Sequence, residues 1–536
     1  MKLLRPLPRR LGRALSALVV LAWLVQMGVL FRSIQASTMN LAGDLSRYGS
    51  SAQWKGVYSR GDKIGFMVGQ TIPTADGYEL QEDGRIQMTL LGATSAARLH
   101  TAVQVDKAFQ ARSFQFSMDP GTGPIQISGT IDGRKLQLTV KTPSGGARTE
   151  TRELPEPPSL SLNLSRQLAA SGLSSGKHAE MAVFDPATMR NETMVIDVQA
   201  REVVRVADRP VPAFKVLTRF AGITSTSWVT DTGEVVREES PLGFLVIKET
   251  PGRATQLAVP GEIQSDMLEA AAVVPDPAGV RRIDDPTAVE RLVARVDGVD
   301  LSGPEVQGAG QTVGGNVVEV RDAETLKPEP LTDDLAPYVR PELFLESDAP
   351  EIVAEAKTAA NGTADPRLIA ERLTRYVNAL LDKKPTVSLP SAVEVLRTKV
   401  GDCNEHTALY VAMARALGVP ARIAVGLVYV RGGFFYHAWP EVYVQAGKGR
   451  GTWLPVDPTL NQFPADATHI RLARGGLDRQ TAILPAIGHT KMRILTLEVK
   501  PGSTPILVGR PAQDLRPLEI PIPKRDSATH CWSQPS

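Results

Sequence analysis

Cysteine is nearly absent from this sequence, which has two cysteines, Cys403 and Cys531, among 536 residues. A chain with so few cysteines cannot rely on a disulfide framework for its stability. A single bridge between Cys403 and Cys531 stays open, although an unpaired thiol is the commoner arrangement for a cysteine in a polar tail. Reactivity, rather than cross-linking, is therefore the first role to consider for Cys403.

A large excess of either charge is also missing. The sequence has 60 Lys and Arg residues against 58 Asp and Glu residues, and aromatic residues make up 5% of it. Five of the basic residues lie within the first 13 positions, so the remaining 55 are slightly outnumbered by acidic residues. There is no basic stripe with interleaved aromatic residues, and no C-x-x-C or H-x-x-x-H spacing. We therefore expect no nucleic-acid partner, no metal and no cofactor.

One long apolar run is present. The segment ALSALVVLAWLVQMGVLF, at residues 14–31, contains no charge and follows the five basic residues. It is long enough to span a membrane as a helix, and it exceeds the ~7–15 residues usual for the apolar part of a signal peptide. We predict that residues 1–36 hold a retained anchor with its N-terminus in the cytoplasm. A cleaved signal is less favoured because residues 34–36, Ile-Gln-Ala, match a cleavage site poorly, and a buried core helix is the remaining alternative.

Residues 50–265 alternate between apolar and polar positions and are divided by short turns that contain glycine. The segments IQISGTI and KLQLTV flank Asp132-Gly133, and a similar turn occurs at Asp231-Thr232-Gly233. This pattern is typical of antiparallel strands joined by tight turns. We predict an antiparallel β-rich domain, either a curved sheet or a half-barrel. Binding of a lipid or a partner on its concave face and a simple spacer role both stay open.

A helix is predicted directly after Asp402. This residue is a good N-cap, and Glu405 lies three positions further along, which is the capping-box pattern. Leu409, Ala412, Met413 and Ala416 follow as an apolar stripe with helical spacing. The stripe ends before Gly418, and glycine commonly follows the end of a helix. Cys403 is thereby predicted at the first helical position, where the helix dipole favours a thiolate.

Three strands are predicted after this helix, from the segments ARIAVGLVYV, FFYHAWPEVYV and TWLPVDPT. If the second and third fold as a hairpin about Gly447, His437 lies directly opposite Asp457. Opposed side chains in antiparallel strands have Cβ atoms about 4.5–5.5 Å apart, which permits an imidazole–carboxylate hydrogen bond. A thiol, an imidazole and an orienting carboxylate form a nucleophile system. We therefore predict Cys403 as nucleophile, His437 as base and Asp457 as the orienting acid.

Two rival interpretations of these residues stay open. His406 lies three positions after Cys403 and is the main competitor as base, although a histidine on the same helix more easily caps it or faces solvent. A metal site formed by Cys403, His406, His437 and Asp457 is the other rival, and the spacing of these residues does not support it.

The same segments resemble a known family. The motifs G-D-C-N-E-H, G-V-P-A-R, Y-H-A-W-P-E-V and V-D-P-T are similar to those of the transglutaminase-like superfamily, most strongly over residues 367–475. The resemblance implies a papain-type arrangement, with a cysteine helix packed on an antiparallel sheet, and it assigns the same three roles to Cys403, His437 and Asp457. Members include cross-linkers, deamidases, peptidases and inactive domains, so the fold is implied more firmly than the reaction. Together with the anchor, the resemblance implies a bacterial inner-membrane protein with one span and most of its chain in the periplasm.

The predicted fold class is α+β. The expected order is a basic flank and transmembrane anchor at 1–36, the β-rich domain at 50–265, a mixed connecting region at 266–345, a transglutaminase-like catalytic domain at 346–500 and a Pro-rich tail at 501–536. We expect MRILTLEVK, at 492–500, to add a strand to the catalytic sheet. The predicted function is that of an extracytoplasmic thiol enzyme that acts on protein or peptide amide bonds through a thioester. The alternative is a non-catalytic binding or scaffolding protein that works through its β-rich domain.

Overall fold

The computed structural model describes residues 48–501, except for residues 50, 91, 145, 207, 258–262, 264–265, 281, 333 and 477–480. The predicted anchor helix at 14–31, the tail beyond 501 and Cys531 lie outside the described residues. Within the described part of the chain, no helix combines the length and the apolar character that crossing a bilayer requires.

Fourteen strands form one large antiparallel sheet. They are β1 (Gln53–Ser59), β2 (Asp62–Pro73), β3 (Gly77–Leu90), β4 (Ala93–Asp106), β5 (Ala111–Asp119), β6 (Ile125–Asp132), β7 (Lys135–Lys141), β8 (Ala147–Glu153), β9 (His178–Asp185), β10 (Arg190–Val206), β11 (Arg209–Phe220), β12 (Ile223–Val229), β13 (Val235–Glu239) and β14 (Phe244–Glu249). The first eight follow one another outward from β1, and the last six follow one another outward from β14. Because β1 pairs with β14, the two halves join in the middle of a single sheet.

The sheet curls into a half-barrel, which confirms the prediction of a curved β-rich architecture. Phe114 of β5 and Phe184 of β9 are far apart in strand order, yet their ring centroids are 5.7 Å apart. Helix α1 (Ser161–Ala170) lies inside the curve, where Leu164 and Leu168 are buried against the strands. Two further short helices, α2 (Pro251–Ala254) and α3 (Met267–Ala271), follow the last strand of the sheet. The half-barrel thus has its own apolar core.

A second, four-stranded sheet contains β15 (Val289–Asp297), β16 (Gln311–Gly314), β17 (Val317–Arg321) and β25 (Lys491–Val499), in the order β16-β17-β15-β25. The prediction that residues 492–500 join the catalytic sheet is wrong, because this strand pairs with β15. Its buried residues Met492 and Ile494 pack beside Leu292 and Ala294. The alternating pattern identified a strand, but it carried no information about the distant strand with which it pairs.

The remaining elements form an α+β unit. A five-stranded sheet has the order β18-β23-β22-β21-β24, and β19 pairs with β20: β18 (Glu329–Pro330), β19 (Asp382–Lys383), β20 (Val400–Gly401), β21 (Ala421–Val430), β22 (Gly433–Gln445), β23 (Arg450–Pro455) and β24 (Ile470–Arg474). The helices are α4 (Pro350–Ala360), α5 (Pro366–Leu380), α6 (Ala392–Thr398) and α7 (Cys403–Ala416). The sheet and these four helices share one apolar core.

Helix α7 is the centre of this unit and is buried from Glu405 to Arg415. The predicted capping box is present: the Asp402 carboxylate accepts the Asn404 N–H, and the Glu405 carboxylate accepts the Asp402 N–H at 2.9 Å. A helix that is buried on all sides must be surrounded by other elements. Helices α4, α5 and α6 on one side and strands β21 and β22 on the other supply these contacts.

The half-barrel packs directly against the segment that leads to α7. The buried Glu394 carboxylate of α6 accepts the backbone N–H of Ser144 at 2.8 Å. The Val387 N–H donates to the Ser95 hydroxyl at 3.0 Å. Leu389 is buried in the apolar core of the half-barrel. The start of α7 is therefore fixed partly by residues of the large sheet.

Candidate active site

Cys403 lies at the first position of α7 and is partly exposed. Its thiol faces the backbone of Ala438 in β22, whose N–H is a hydrogen-bond donor to the sulfur. One helical turn further, the Thr407 hydroxyl donates to the Ala438 carbonyl at 3.1 Å. These two contacts hold the start of α7 against the part of β22 that carries His437.

His437 and Asp457 are in contact, as the sequence predicted. The His437 Nε2 atom lies 2.8 Å from Asp457 Oδ2. The predicted register of the hairpin is nevertheless wrong by two residues, because Glu441 pairs with Pro455 and β23 ends there. Asp457 instead lies in a loop closed by two backbone hydrogen bonds with Gln462, at 2.9 and 2.8 Å. The loop, and not the strand ladder, brings the carboxylate to the imidazole.

Asp457 is completely buried and remains charged. Burial alone raises the pKa of this carboxyl, but His437 and a second histidine, His469, hold it well below its ordinary value. Its other oxygen, Oδ1, accepts the backbone N–H groups of Thr459 and Leu460 at 2.7 and 2.9 Å. All the lone pairs that face the protein are therefore used, and the carboxylate has one fixed orientation.

His469 was not predicted as part of the site. Its Nε2 atom lies 3.1 Å from Asp457 Oδ2, and its Nδ1 atom lies 3.3 Å from Asp466 Oδ1. Burial lowers the pKa of His469, but the two carboxylates outweigh burial and raise it to about 10. At neutral pH this histidine is therefore an imidazolium between two anions. The available signal was a histidine directly before the apolar strand β24.

The surroundings of the Cys403 thiol oppose the predicted thiolate. Burial raises the pKa of Cys403 well above its ordinary value, and Asp402, Glu405 and Asp457 raise it further, while the Ala438 N–H acts in the opposite direction. The prediction of a Cys403 thiolate was based on the helix dipole alone. The structure adds three neighbouring carboxyl groups, which disfavour a second negative charge.

The two rival interpretations fit the structure less well. His406 is completely buried, and its Nδ1 atom is held 2.7 Å from the Asp402 carbonyl oxygen. Burial lowers the pKa of His406, so it rests as a neutral ring within the core. Among the described residues, the potential metal ligands that cluster are His437, Asp457 and His469, with ligand atoms within 4.8 Å of one another, and not the four residues of the rival interpretation. Hydrogen bonds at 2.8 and 3.1 Å already join these three side chains.

Trp439 packs against both imidazoles of this cluster. Its ring centroid is 6.3 Å from that of His437 at an interplanar angle of 18°, and 5.2 Å from that of His469 at 77°. The Trp439 side chain is 1% exposed. It therefore restricts both rings and excludes water from the side of the cluster that faces the core.

Comparisons with known proteins agree with the sequence resemblance. Residues 351–458 match the family model of the transglutaminase-like superfamily. This range includes Cys403, His437 and Asp457, while His469 lies beyond it. No curated protein gives a significant match to the chain.

Three solved structures are distantly similar. A candidate cysteine protease from Cytophaga hutchinsonii is 15% identical, with a TM-score of 0.24, over 40% of this chain and 86% of its own. A DUF1089 family protein from Pseudomonas aeruginosa is 15% identical, with a TM-score of 0.21, over 33% of this chain and 89% of its own. A candidate protease from Parabacteroides distasonis is 11% identical, with a TM-score of 0.18, over 72% of this chain and 70% of its own. Likenesses this distant carry no argument about activity.

Proposed function

We propose that this chain, whose residues 351–458 belong to the transglutaminase-like superfamily, is a thiol enzyme that cleaves or transfers protein or peptide amides through a thioester at Cys403. The observation that carries the proposal is the hydrogen bond between His437 and Asp457 at 2.8 Å. His437 lies in β22, and the N–H of the next residue, Ala438, donates to the Cys403 sulfur. A buried carboxylate that orients an imidazole beside a thiol is the arrangement that nucleophilic acyl transfer requires.

The reaction would begin with proton transfer. His437 Nε2–H donates to Asp457, which leaves Nδ1 with the free lone pair that can accept the thiol proton. Because the pKa of Cys403 is raised, this transfer would accompany attack of the sulfur on the substrate carbonyl carbon. The His437 imidazolium would then protonate the leaving amine as the C–N bond breaks, which forms the thioester. Water or an amine would release the acyl group in the second step.

Asp457 would support the base in two ways. Its fixed orientation selects the Nε2–H tautomer of His437, and its negative charge stabilises the imidazolium that forms after proton transfer. The His469 imidazolium shares Asp457 Oδ2 with His437. We assign His469 the role of a positioning residue, since it bonds the same carboxylate oxygen as His437 and so helps to hold Asp457 in place. For the oxyanion, we propose the Cys403 backbone N–H at the start of α7 as one donor.

The cellular setting is part of the proposal and rests on the sequence alone. The apolar run at 14–31 behind five basic residues supports a single-pass anchor, with the described domains on the periplasmic side of a bacterial inner membrane. Full-length protein should resist alkaline extraction from membranes, and deletion of residues 1–36 should release it. Recovery of the full-length chain in the soluble fraction would argue against the anchor.

The proposed function is tested by trapping the intermediate. The full chain is incubated with a peptide library, quenched in acid and analysed by mass spectrometry for an acyl adduct on the Cys403 peptide. We expect an adduct that hydroxylamine removes, and we expect none in Cys403→Ser or His437→Ala. Cys531→Ser is the matched control for the second cysteine and should retain the adduct.

The competing function is a binding or scaffolding protein without turnover, and the raised pKa of Cys403 is the observation that favours it. In that case no acyl adduct would form with any peptide. Association with partners would then depend on the half-barrel and would survive Cys403→Ser.

A further inference from the structure

A cavity of about 230 Å³ lies where the half-barrel meets the α+β unit. The half-barrel contributes two residues of β8 and Met189, which directly precedes β10. Asn404 and Ala408, one turn apart on α7, form another part of the wall. Asn404 directly follows Cys403, and consecutive Cα atoms are about 3.8 Å apart. The cavity therefore lies next to the proposed nucleophile.

The apolar part of the cavity wall is buried. Four of its side chains are 9% exposed or less: Met189, Leu343, Leu345 and Ile423. The volume of the cavity exceeds the roughly 150 Å³ of an apolar cavity that accommodates benzene. One large apolar side chain therefore fits in it.

The charged side chains of the wall are more exposed, and they are paired. Arg152 Nε donates to Glu150 Oε1 at 2.7 Å, and these two side chains are 30% and 41% exposed. Glu342, which is 48% exposed, accepts a hydrogen bond from Arg415 Nη1 at 2.6 Å. A charged ligand side chain would lose its hydration in the buried part of the cavity and would find no counter-ion there among the described residues.

Asn404 supplies a polar group beside Cys403. Its backbone N–H donates to Asp402 Oδ1 at 3.0 Å, whereas its half-buried carboxamide has no hydrogen-bond partner within the described chain. A carboxamide has both donors and an acceptor, so it can bond to the backbone N–H or C=O of a peptide. A mainly apolar pocket with a polar group that fixes orientation is typical of ligand sites.

We propose that this cavity receives a large apolar side chain, aromatic or branched aliphatic, on the residue whose carbonyl carbon Cys403 attacks. The inference rests on the proposed thioester function and adds its substrate class, a peptide that is cut or transferred after such a residue. The S–C bond forms, the C–N bond after this residue breaks, and the thiol proton leaves on the amine. The half-barrel then forms part of the substrate site through Met189.

The test measures how fast Cys403 is alkylated by chloromethyl ketones that carry different side chains, which requires no turnover. The probes are the chloromethyl ketones of N-acetyl-phenylalanine, N-acetyl-glycine and N-acetyl-glutamate, each well below saturation. The full chain carries Cys531→Ser, so that Cys403 is its one thiol. Each rate is divided by that of the same probe with N-acetylcysteine, which removes differences in intrinsic reactivity.

We expect the normalised rate of the phenylalanine probe to exceed that of the glycine probe at least about tenfold, because the cavity buries the aromatic side chain. The glutamate probe should show no such gain, because its charge would enter the cavity without a counter-ion.

Two methionine variants test the contribution of the half-barrel. Met189→Trp should fill the cavity and reduce the preference for the phenylalanine probe to about twofold or less. Met181→Trp is the matched control, since Met181 is a partly buried methionine of β9 that packs in a different apolar cluster and does not line the cavity. It should keep the preference. Iodoacetamide, which carries no side chain, should alkylate Cys403 at the parent rate in both variants.

Equal normalised rates for the phenylalanine and glycine probes, a glutamate probe as fast as the phenylalanine probe, or an unchanged preference in Met189→Trp would each overturn the proposal. Circular dichroism melting establishes that each variant is folded. If Met189→Trp does not fold, the three probes on the chain with an intact Met189 decide the question. Acyl adducts from the peptide library without a phenylalanine preference would remove this proposal and leave the thioester function standing. A phenylalanine preference without any acyl adduct would instead leave the binding cavity and remove the thioester function.

Discussion

Replacing His469 by glutamine is expected to change how the stability of the protein depends on pH. Burial lowers the pKa of His469, but Asp457 and Asp466 raise it from 6.5 to about 10. The folded protein thus keeps a proton that the unfolded chain releases above pH 6.5. This proton stabilises the folded protein fully below pH 6.5, the pKa of His469 in the unfolded chain. The stabilisation is lost as the pH rises through about 10, the pKa of His469 in the folded protein. Between these limits His469 should lower the free energy of unfolding by about 1.4 kcal/mol per pH unit.

The assay is urea unfolding of the full chain and of His469→Gln at several pH values between about 7 and 9, followed by tryptophan fluorescence. Trp439 contacts the His469 ring at a centroid distance of 5.2 Å, so it reports on this region. The difference in unfolding free energy between the two proteins should shrink by roughly 3 kcal/mol over this range. His489→Gln, which replaces an exposed histidine outside this cluster, is the control.

Parallel pH profiles for the full chain and His469→Gln would refute the argument, because His469 would then not hold an extra proton in the folded protein. Activity provides a second readout once a substrate is found. A positioning residue acts through Asp457, so kcat should fall by roughly tenfold while KM changes little. A change confined to KM would instead mean that His469 contacts the substrate.

The remaining predictions concern the proposed nucleophile system. Cys403→Ser should keep the fold and abolish turnover, and His437→Ala should be nearly as severe, because it removes the group that accepts and returns the proton; steady-state kinetics with circular dichroism measures both. Asp457→Asn should reduce turnover less than Cys403→Ser or His437→Ala. It should also lower the melting temperature, since it leaves the charged His469 without one of its two buried counter-ions. A variant as stable as the parent would contradict this. Alkylation of Cys403 by iodoacetamide, followed by peptide mass spectrometry, should continue to accelerate above about pH 9, because the pKa of this thiol is raised; a plateau below neutral pH would indicate a resting thiolate.

Features set by neighbouring residues could be predicted from the sequence. Asp402 caps α7 as expected, because a cap needs only the first turn of its own helix. The contact between His437 and Asp457 could also be predicted, since the two residues lie in consecutive segments of the chain. The exact register could not, because the hairpin is centred on Lys448 and not on Gly447, which pairs Gln445 with Gly451.

Features set by distant residues could not be predicted. His469 reaches Asp457 because β24 pairs with β21, on the far side of the sheet from β23. Ser391 and Glu394 have the spacing of a capping box, and the Ser391 hydroxyl accepts the Glu394 N–H. Its carboxylate, however, bonds to Ser144, which lies 250 positions away in the sequence. Local patterns contain no information about pairings of this kind.

The half-barrel is connected to the nucleophile by a short series of hydrogen bonds. Ser95 accepts the Val387 N–H, and the hydroxyls of the adjacent Thr386 and Ser388 donate to the Glu405 carboxylate. Glu405 in turn accepts the Asp402 N–H at the start of α7. If the large sheet were only a spacer, these contacts would have no effect on Cys403.

Ser95→Ala distinguishes the two roles of the half-barrel. It removes the acceptor of the Val387 N–H and should cost about 1 kcal/mol of stability. The loop at 386–388 would then hold Glu405 less firmly, so the start of α7 would open more often. We expect Cys403 to be alkylated roughly two- to fivefold faster at fixed pH, in line with a change of this size in a local opening equilibrium. Ser128→Ala, which removes a hydroxyl bonded only within the large sheet, is the control. If both variants react at the parent rate, the half-barrel supports the catalytic unit without influencing its nucleophile.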